Sequence, residues 1–267
     1  MIDLFTPLKS SRLSVIVPVF NEAQNILKNL DLLISEIEPY FLTYEILVVS
    51  DGSTDGTHQV LQRFEHPNVR TIAFTRNKGK GHAVREGFKE AQGDYILFID
   101  GGMELHPRDI RVFLGLMELY RADIVIGSKR HPQSQVEYPV LRRILSSIYQ
   151  LLIRKVFDLN VTDTQVGLKL FRKSVIDAIL PELTIDRYGF DLEILALARS
   201  KGFRLVLEAP IRLEYFNHNT RSPLLELVHV FKVGSIILMD TYRLARRLRV
   251  PVKAQITSQG RGSGNSP

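Results

Sequence analysis

The sequence predicts an α/β domain built on a mostly parallel sheet, and three observations predict it. Through the first half, short β-branched runs alternate with helical patterns of about 10 to 15 residues, the signature of βαβ units. Apolar residues make up 45% and charged residues 24% of the 267, ordinary globular proportions that exclude a disordered chain. Acids and glycine-rich turns cluster where the strands end, which is where open α/β sheets bind ligands.

The elements follow in order. Residues 13–17 form a β-branched run that reads as a buried strand stopped at Pro18. Asn21 and Glu22 open a helical pattern whose apolar positions are Ile26, Leu30, Leu33, Ile34 and Ile37. A second strand is predicted over 44–49, and the turn cluster 51–56 leads into another helix. Residues 69–74 and 95–99 read as strands three and four, with a helix over 81–91 between them. A helix around 114–119 precedes a strand at 124–126. Beyond Gly127 the rhythm changes. Residues 131–139 read as a polar loop, 141–157 as a helix carrying basic residues, and 163–171 as irregular. Residues 190–200 read as a helix, 203–209 as a strand and 224–248 as the most apolar helical region.

These patterns divide the chain into a lead over 1–12, a main domain over 13–215, a helical packing or membrane-interface segment over 216–252, and a Ser- and Gly-rich disordered tail over 253–267. The absence of Cys excludes disulfides, thiolate metal sites and cysteine nucleophiles. The first residues lack the continuous apolar core of a secretory signal, and no stretch reaches the roughly 20 apolar residues of a spanning helix. A cytoplasmic protein, peripheral on the cytosolic face of a membrane, is the expectation. The net charge of +6 suits an anionic membrane or an anionic substrate. Nucleic acid is not expected as a partner, because no recognition module or ordered aromatic platform is present.

Three acids stand at successive strand ends: Glu22 after strand one, Asp51 after strand two and Asp100 after strand four. Any one of them is equally well a helix cap or turn acid. All three at one sheet edge are harder to assign to capping. Between them, residues 75–83 (TRNKGKGHA) form a cationic, glycine-rich loop opening a helix. Its N–H groups, with Lys78 and Lys80, suit a diphosphate. It has neither Walker spacing nor the dinucleotide fingerprint, and a turn with solvated lysines is the competing reading.

Taken together, SVIVPVFNE (14–22), VVSDGSTD (48–55), NKGKG (77–81), FID (98–100) and GSK (127–129) resemble the inverting nucleotide-sugar glycosyltransferases of family 2. Within that family the segments VTDTQVGLKLF (161–171) and YGFDLE (188–193) are similar to the polyprenyl-phosphate sugar transferases, the dolichol-phosphate mannose and glucose synthases. The resemblance implies a GT-A-type nucleotide-sugar-binding sheet flanked by helices, with a C-terminal apolar helical extension. It implies that Pro18, Glu22 and Asp51 cradle base and ribose, and that Lys80 and Asp100 stand by the sugar diphosphate.

Family members carry an acid two residues after the equivalent of Asp100, and the pair holds Mg²⁺ or Mn²⁺. Here that position is Gly102, which leaves Asp100 and Glu104 as metal ligands and implies an ion held mainly through the substrate. Lys129, Arg142 and Ser146 fall close to the acceptor-phosphate positions, with Arg130 beside them; a solvated basic helix face is the alternative. The implied reaction moves a hexose from UDP-glucose or GDP-mannose to a polyprenyl or dolichyl phosphate, with Asp100, Lys129 and Arg142 as the catalytic residues. A phosphate oxygen attacks without a base, whereas a glycan hydroxyl would need one near Asp191 or Glu193. Transfer to such a hydroxyl, and nucleotide-sugar binding without turnover, are the competing functions. Arg243, Arg246 and Arg247, at the end of the apolar helical region, suit anionic lipid or an ordinary basic helix end.

Overall fold

The computed structural model describes residues 8, 10–136, 149–154, 156–213 and 223–248, without side chains over 223–232. The predicted tail and lead lie wholly or mostly outside these residues. Seven strands form one sheet: β1 (Arg12–Val19), β2 (Thr43–Asp51), β3 (Val69–Phe74), β4 (Tyr95–Ile99), β5 (Ile124–Gly127), β7 (Leu168–Arg172) and β8 (Val206–Ala209). Their order is β3-β2-β1-β4-β7-β5-β8, and β6 (Gln135–Val136) pairs with β9 (Arg212–Leu213) separately. Every pairing is parallel except those of β7, which runs antiparallel between β4 and β5.

Helices cover both faces. They are α1 (Ile26–Ile37), α2 (Thr57–Gln62), α3 (Lys80–Glu90), α4 (Ile110–Tyr120), α5 (Lys173–Ile179), α6 (Phe190–Ser200) and α7 (Pro223–Arg247). Residues 149–154 are also helical. Because successive side chains on a strand point to opposite faces, Val15 and Val17 enter one core while Ile16 enters the other. The same alternation sends Leu97 and Ile99 one way and Ile96 and Phe98 the other. That two-sided burial explains the near-continuous apolar runs. The buried stripe of α1 is Ile26, Leu30, Leu33, Ile34 and Ile37, the five positions expected from the spacing. Each such burial contributes about 1.5–3 kcal/mol.

Two expectations change. β1 continues through Pro18, which pairs in register with Val49, rather than stopping there. The stretch over 163–171 ends in a central strand, β7, rather than being irregular throughout. In α7, Leu244 and Ala245 pack into the core beside α6. Among the described residues no helix is long and apolar enough to cross a membrane.

Candidate active site

The chain lays down β1, β2 and β3 in one direction and then places β4 on the other side of β1, so the topology reverses between β1 and β4. A crevice outside the carboxyl ends of the strands is expected at that switch point. A cavity of about 950 Å³ opens there. Pro18 and Glu22 line it from the β1 side, Asp51 from β2, Asp100, Gly102 and Glu104 from the turn after β4, and Lys80 from α3. The three acids singled out from sequence therefore meet at one cavity.

Local hydrogen bonds set this geometry. The loops after β1 and β2 are stitched together: Thr54 N–H donates to Asn21 Oδ1 (2.8 Å), Ala23 N–H to Asp55 Oδ2 (3.0 Å), and Glu22 N–H to Thr57 Oγ1 (2.9 Å). Asp51, 3% exposed, accepts the N–H groups of Lys78 (2.9 Å) and Gly79 (2.8 Å). Its carboxylate thus organises the loop that leads into α3. At Gly79 the chain takes φ +113, a value open to glycine, and passes against the backbone of Asp186. This reversal sends Lys80 into the cavity, whereas Lys78 lines a different one. One N–H that the start of α3 would offer a diphosphate, that of His82, is already bonded to the Asp186 carbonyl at 3.1 Å.

At the cavity floor the Lys80 ammonium sits 2.5 Å from Asp100 Oδ1 and 2.7 Å from Oδ2. Only the Oδ2 contact has hydrogen-bond geometry, which leaves Oδ1 buried without an aligned donor. The Phe98 and Phe190 rings flank the ammonium at 5.3 and 5.8 Å. Burial acts to lower the Lys80 pKa, but Asp100, Asp191 and Glu104 together outweigh it and hold it above the ordinary lysine value. Asp100 N–H donates to the Gly167 carbonyl at 3.0 Å, and a side chain on Gly167 would overlap the Asp100 carboxylate.

Behind this pair lies a second one that the sequence reading missed. Lys169, on β7, is fully buried and donates to Asp191 and to the Val166 carbonyl. Asp191 lines the cavity near Lys80. Burial pulls the Lys169 pKa below the usual lysine value and pushes Asp191 above the usual carboxylate range, each against the attraction of its partner. Two lysines and two aspartates therefore alternate through the floor. The available signal was a lysine inside an otherwise apolar run, LKLF (168–171).

Other expected residues sit elsewhere. Lys129 stands behind the cavity wall, where its ammonium donates to the carbonyl of Gln165 (3.1 Å), a lining residue, and lies 3.5 Å from buried Asp163. Arg130 N–H donates to Ser128 Oγ at 3.2 Å. Arg142 and Ser146 lie outside the described residues. Glu193 is fully buried and accepts from Thr184 N–H, Ile185 N–H and Arg247 (2.8 Å). It has no exposure from which to act as a base. Arg247 is correspondingly engaged in packing α7.

The sheet and its switch-point cavity have a GT-A-type arrangement. Residues 14–180 match Glycosyl transferase family 2, and the chain belongs to that family. Among its relatives are the dolichyl-phosphate beta-glucosyltransferases of Drosophila melanogaster, 35% identical over 208 residues, and Saccharomyces cerevisiae, 32% identical over 220. The matches cover 72% and 74% of this chain and 64% and 66% of those proteins, so the chain spans just under two thirds of their length. In three dimensions the chain is similar to glucosyl-3-phosphoglycerate synthase from Mycobacterium tuberculosis in complex with Mn²⁺, uridine-diphosphate-glucose and phosphoglyceric acid. The TM-score is 0.67 at 18% identity, over 94% of this chain and 84% of that one. At that identity the likeness is one of fold.

Proposed function

We propose that the protein transfers glucose from UDP-glucose to dolichyl phosphate, or to a closely similar polyprenyl phosphate, with inversion. The observation that carries this reading is the Lys80–Asp100 pair on the floor of the switch-point cavity. A departing nucleoside diphosphate develops negative charge, and a fixed ammonium at that point stabilises it. Pro18, Glu22 and Asp51 lie on the β1 and β2 side, where base and ribose would rest, with Asp51 acting through the loop it organises. Glucose and dolichyl phosphate are favoured by the names of the relatives, and uridine diphosphate by the ligand of the fold neighbour.

The acceptor class is supported by the state of the two carboxylates expected from sequence to serve a hydroxyl acceptor as base. Asp191 is held by Lys169, and Glu193 is buried under Arg247. A phosphate oxygen, already ionised near neutral pH, needs neither. It attacks the anomeric carbon from the face opposite the diphosphate, the bond from that carbon to the diphosphate oxygen breaks, and the electron pair leaves on UDP. Arg142 is proposed to meet the acceptor phosphate, while Lys129, whose ammonium is held by the Gln165 carbonyl and lies beside Asp163, is proposed to shape the cavity wall through Gln165. The acceptor lipid implies a membrane surface as partner and a position on its cytosolic side.

A divalent ion fits this site only when the donor brings most of its ligands. Among the described residues no three acidic or histidine side chains are grouped to hold one. Yet the Oδ1 of Asp100 is buried without an aligned donor, and Glu104 lines the same cavity. Asp100, with Glu104 beside it, would hold Mg²⁺ or Mn²⁺ against the diphosphate, where the ion would share the neutralisation of the leaving group. Gly102 tests this placement. A Cβ there would stand 3.2 Å from Glu22 Oε1, in the cavity. Gly102→Asp should lower the apparent metal constant roughly tenfold, since ligand charge sets affinity for hard cations. It should also cost some metal-free stability by setting two carboxylates together. A metal titration of activity, paired with thermal unfolding in chelator, reads both effects; an unchanged metal response in folded protein would remove position 102 from the ion's surroundings.

The function itself is tested by a donor-by-acceptor assay with radiolabelled UDP-glucose and GDP-mannose. The acceptors are dolichyl phosphate and a free glycan, with products separated by solvent extraction. A labelled lipid from UDP-glucose and dolichyl phosphate alone is the expected result. Label in the glycan instead would replace the acceptor, and label from GDP-mannose would replace the donor.

A further inference from the structure

A second cavity, of about 560 Å³, lies on the far side of Arg187, between residues 184–187 and the inner face of α7. Lys78, Arg187, Arg243 and Arg247 line it, with two carboxylates, Asp186 and Asp240. Two of these charges are answered by their neighbours: Arg247 by buried Glu193 at 2.8 Å, and Asp186 by Arg85 at 2.7 Å. Among the described residues, what remains is three cations, Lys78, Arg187 and Arg243, facing one lining carboxylate, Asp240, an excess of two positive charges. Lys78 reaches this cavity because the chain reverses at Gly79, and its ammonium lies over the Phe74 ring at 5.1 Å.

The rim of the cavity continues into apolar surface. Positions four apart on a helix are neighbours, so Arg243 on the cavity side adjoins Met239. Met239 in turn adjoins Tyr242, three residues on, and Tyr242 adjoins Leu238, four residues back, on the outer face of α7. All three are open to solvent, Leu238 and Met239 at 50% and Tyr242 at 66%. A cationic recess beside an exposed apolar strip matches a ligand that has a phosphate at one end and hydrocarbon at the other. A monoester approaches two negative charges at neutral pH and matches the excess in the recess; a diester carries one.

We propose that this cavity is a second ligand site, which seats the phosphate monoester headgroup of a lipid whose tail runs along Leu238, Met239 and Tyr242. The proposal stands apart from the transfer reaction, because among the described residues Arg187 alone is shared with the switch-point cavity. Arg187 is therefore left intact in its test.

The experiment is vesicle co-sedimentation of the full chain. The vesicles are phosphatidylcholine doped either with phosphatidic acid, a monoester, or with phosphatidylglycerol, a diester, at matched surface charge. Wild type should bind the monoester vesicles roughly tenfold more tightly, the scale of a charge-assisted contact. Lys78→Gln with Arg243→Gln should abolish that preference while UDP binding, followed calorimetrically, is retained. Leu238→Ser with Tyr242→Ser should weaken binding to both vesicle types. Equal binding of wild type to the two vesicle types overturns the proposal, as does a preference that survives the double charge variant. Inorganic phosphate binding that depends on Lys78 and Arg243, without any vesicle preference, overturns the lipid headgroup in favour of a free anion. Loss of glucosyl transfer with the vesicle preference intact would count against the transfer reading alone.

Discussion

Asp100→Asn is expected to reduce turnover by about two to three orders of magnitude, the usual consequence of removing one preorganised charge from a site where charge develops. The substitution keeps the shape of the side chain. It also keeps the backbone bond from Asp100 N–H to the Gly167 carbonyl, so the fold should survive. What it removes is the counter-charge of Lys80 and a buried carboxylate oxygen without an aligned donor. Gly167→Ala makes a sharper companion, because it leaves every charge in place. Its Cβ would overlap the Asp100 carboxylate and drive it out of position, and a misplacement of about 1 Å can itself cost about a hundredfold. Steady-state kinetics at saturating donor, together with circular dichroism, would check both. Near-normal turnover in Asp100→Asn would move the catalytic centre away from the Lys80–Asp100 pair. Normal turnover in Gly167→Ala alone would mean that the strand end at β4 yields to the added methyl.

Much of this arrangement is legible in the sequence, because the first half of the chain obeys local rules. The periodicity of 26–37 marks the buried stripe of α1 residue by residue, and the β-branched runs at 69–74 and 95–99 coincide with β3 and β4. The parallel order follows from the alternation of strands and helices. Local rules fail where long-range pairing takes over. β7 joins the sheet antiparallel between β4 and β5, and its run LKLFR carries a lysine that reads as exposed until Asp191, 22 residues on, is brought beneath it. The two lysines of the NKGKG loop look equivalent in sequence, yet the turn at Gly79 separates them into two cavities. Asp51 was legible as a site acid, but its bonds to the N–H groups of Lys78 and Gly79 depend on how two loops distant in sequence meet. Spacing alone also could not distinguish Asp191, which lines the cavity, from Glu193, which Arg247 and Thr184 enclose.

Lys169 carries the largest expected effect on stability. It is fully exposed in the unfolded chain and fully buried in the folded one, where its ammonium donates to Asp191 and to the Val166 carbonyl. Lys169→Met nearly preserves the volume and removes the charge, so Asp191 is left in a nearly closed setting with Lys80, among the described residues, to answer it. Breaking a buried pair from one side typically costs about 3–5 kcal/mol. Asp191 keeps some exposure to the cavity, which places the loss near the lower end, about 3 kcal/mol, or roughly 10 °C in melting temperature. Replacing both partners separates charge from packing. Lys169→Met with Asp191→Asn has no unpaired charge and should recover most of the lost stability, because an isosteric neutral pair avoids the penalty that the single variant incurs. Activity should not return with it, since Asp191 helps set the field around Lys80 and the asparagine does not. Urea unfolding of the three proteins, with turnover measured on the same samples, distinguishes the two contributions. A Lys169→Met protein as stable as wild type would mean that water reaches the pair, and the floor of the cavity would then be open beneath Asp191 rather than closed by β7.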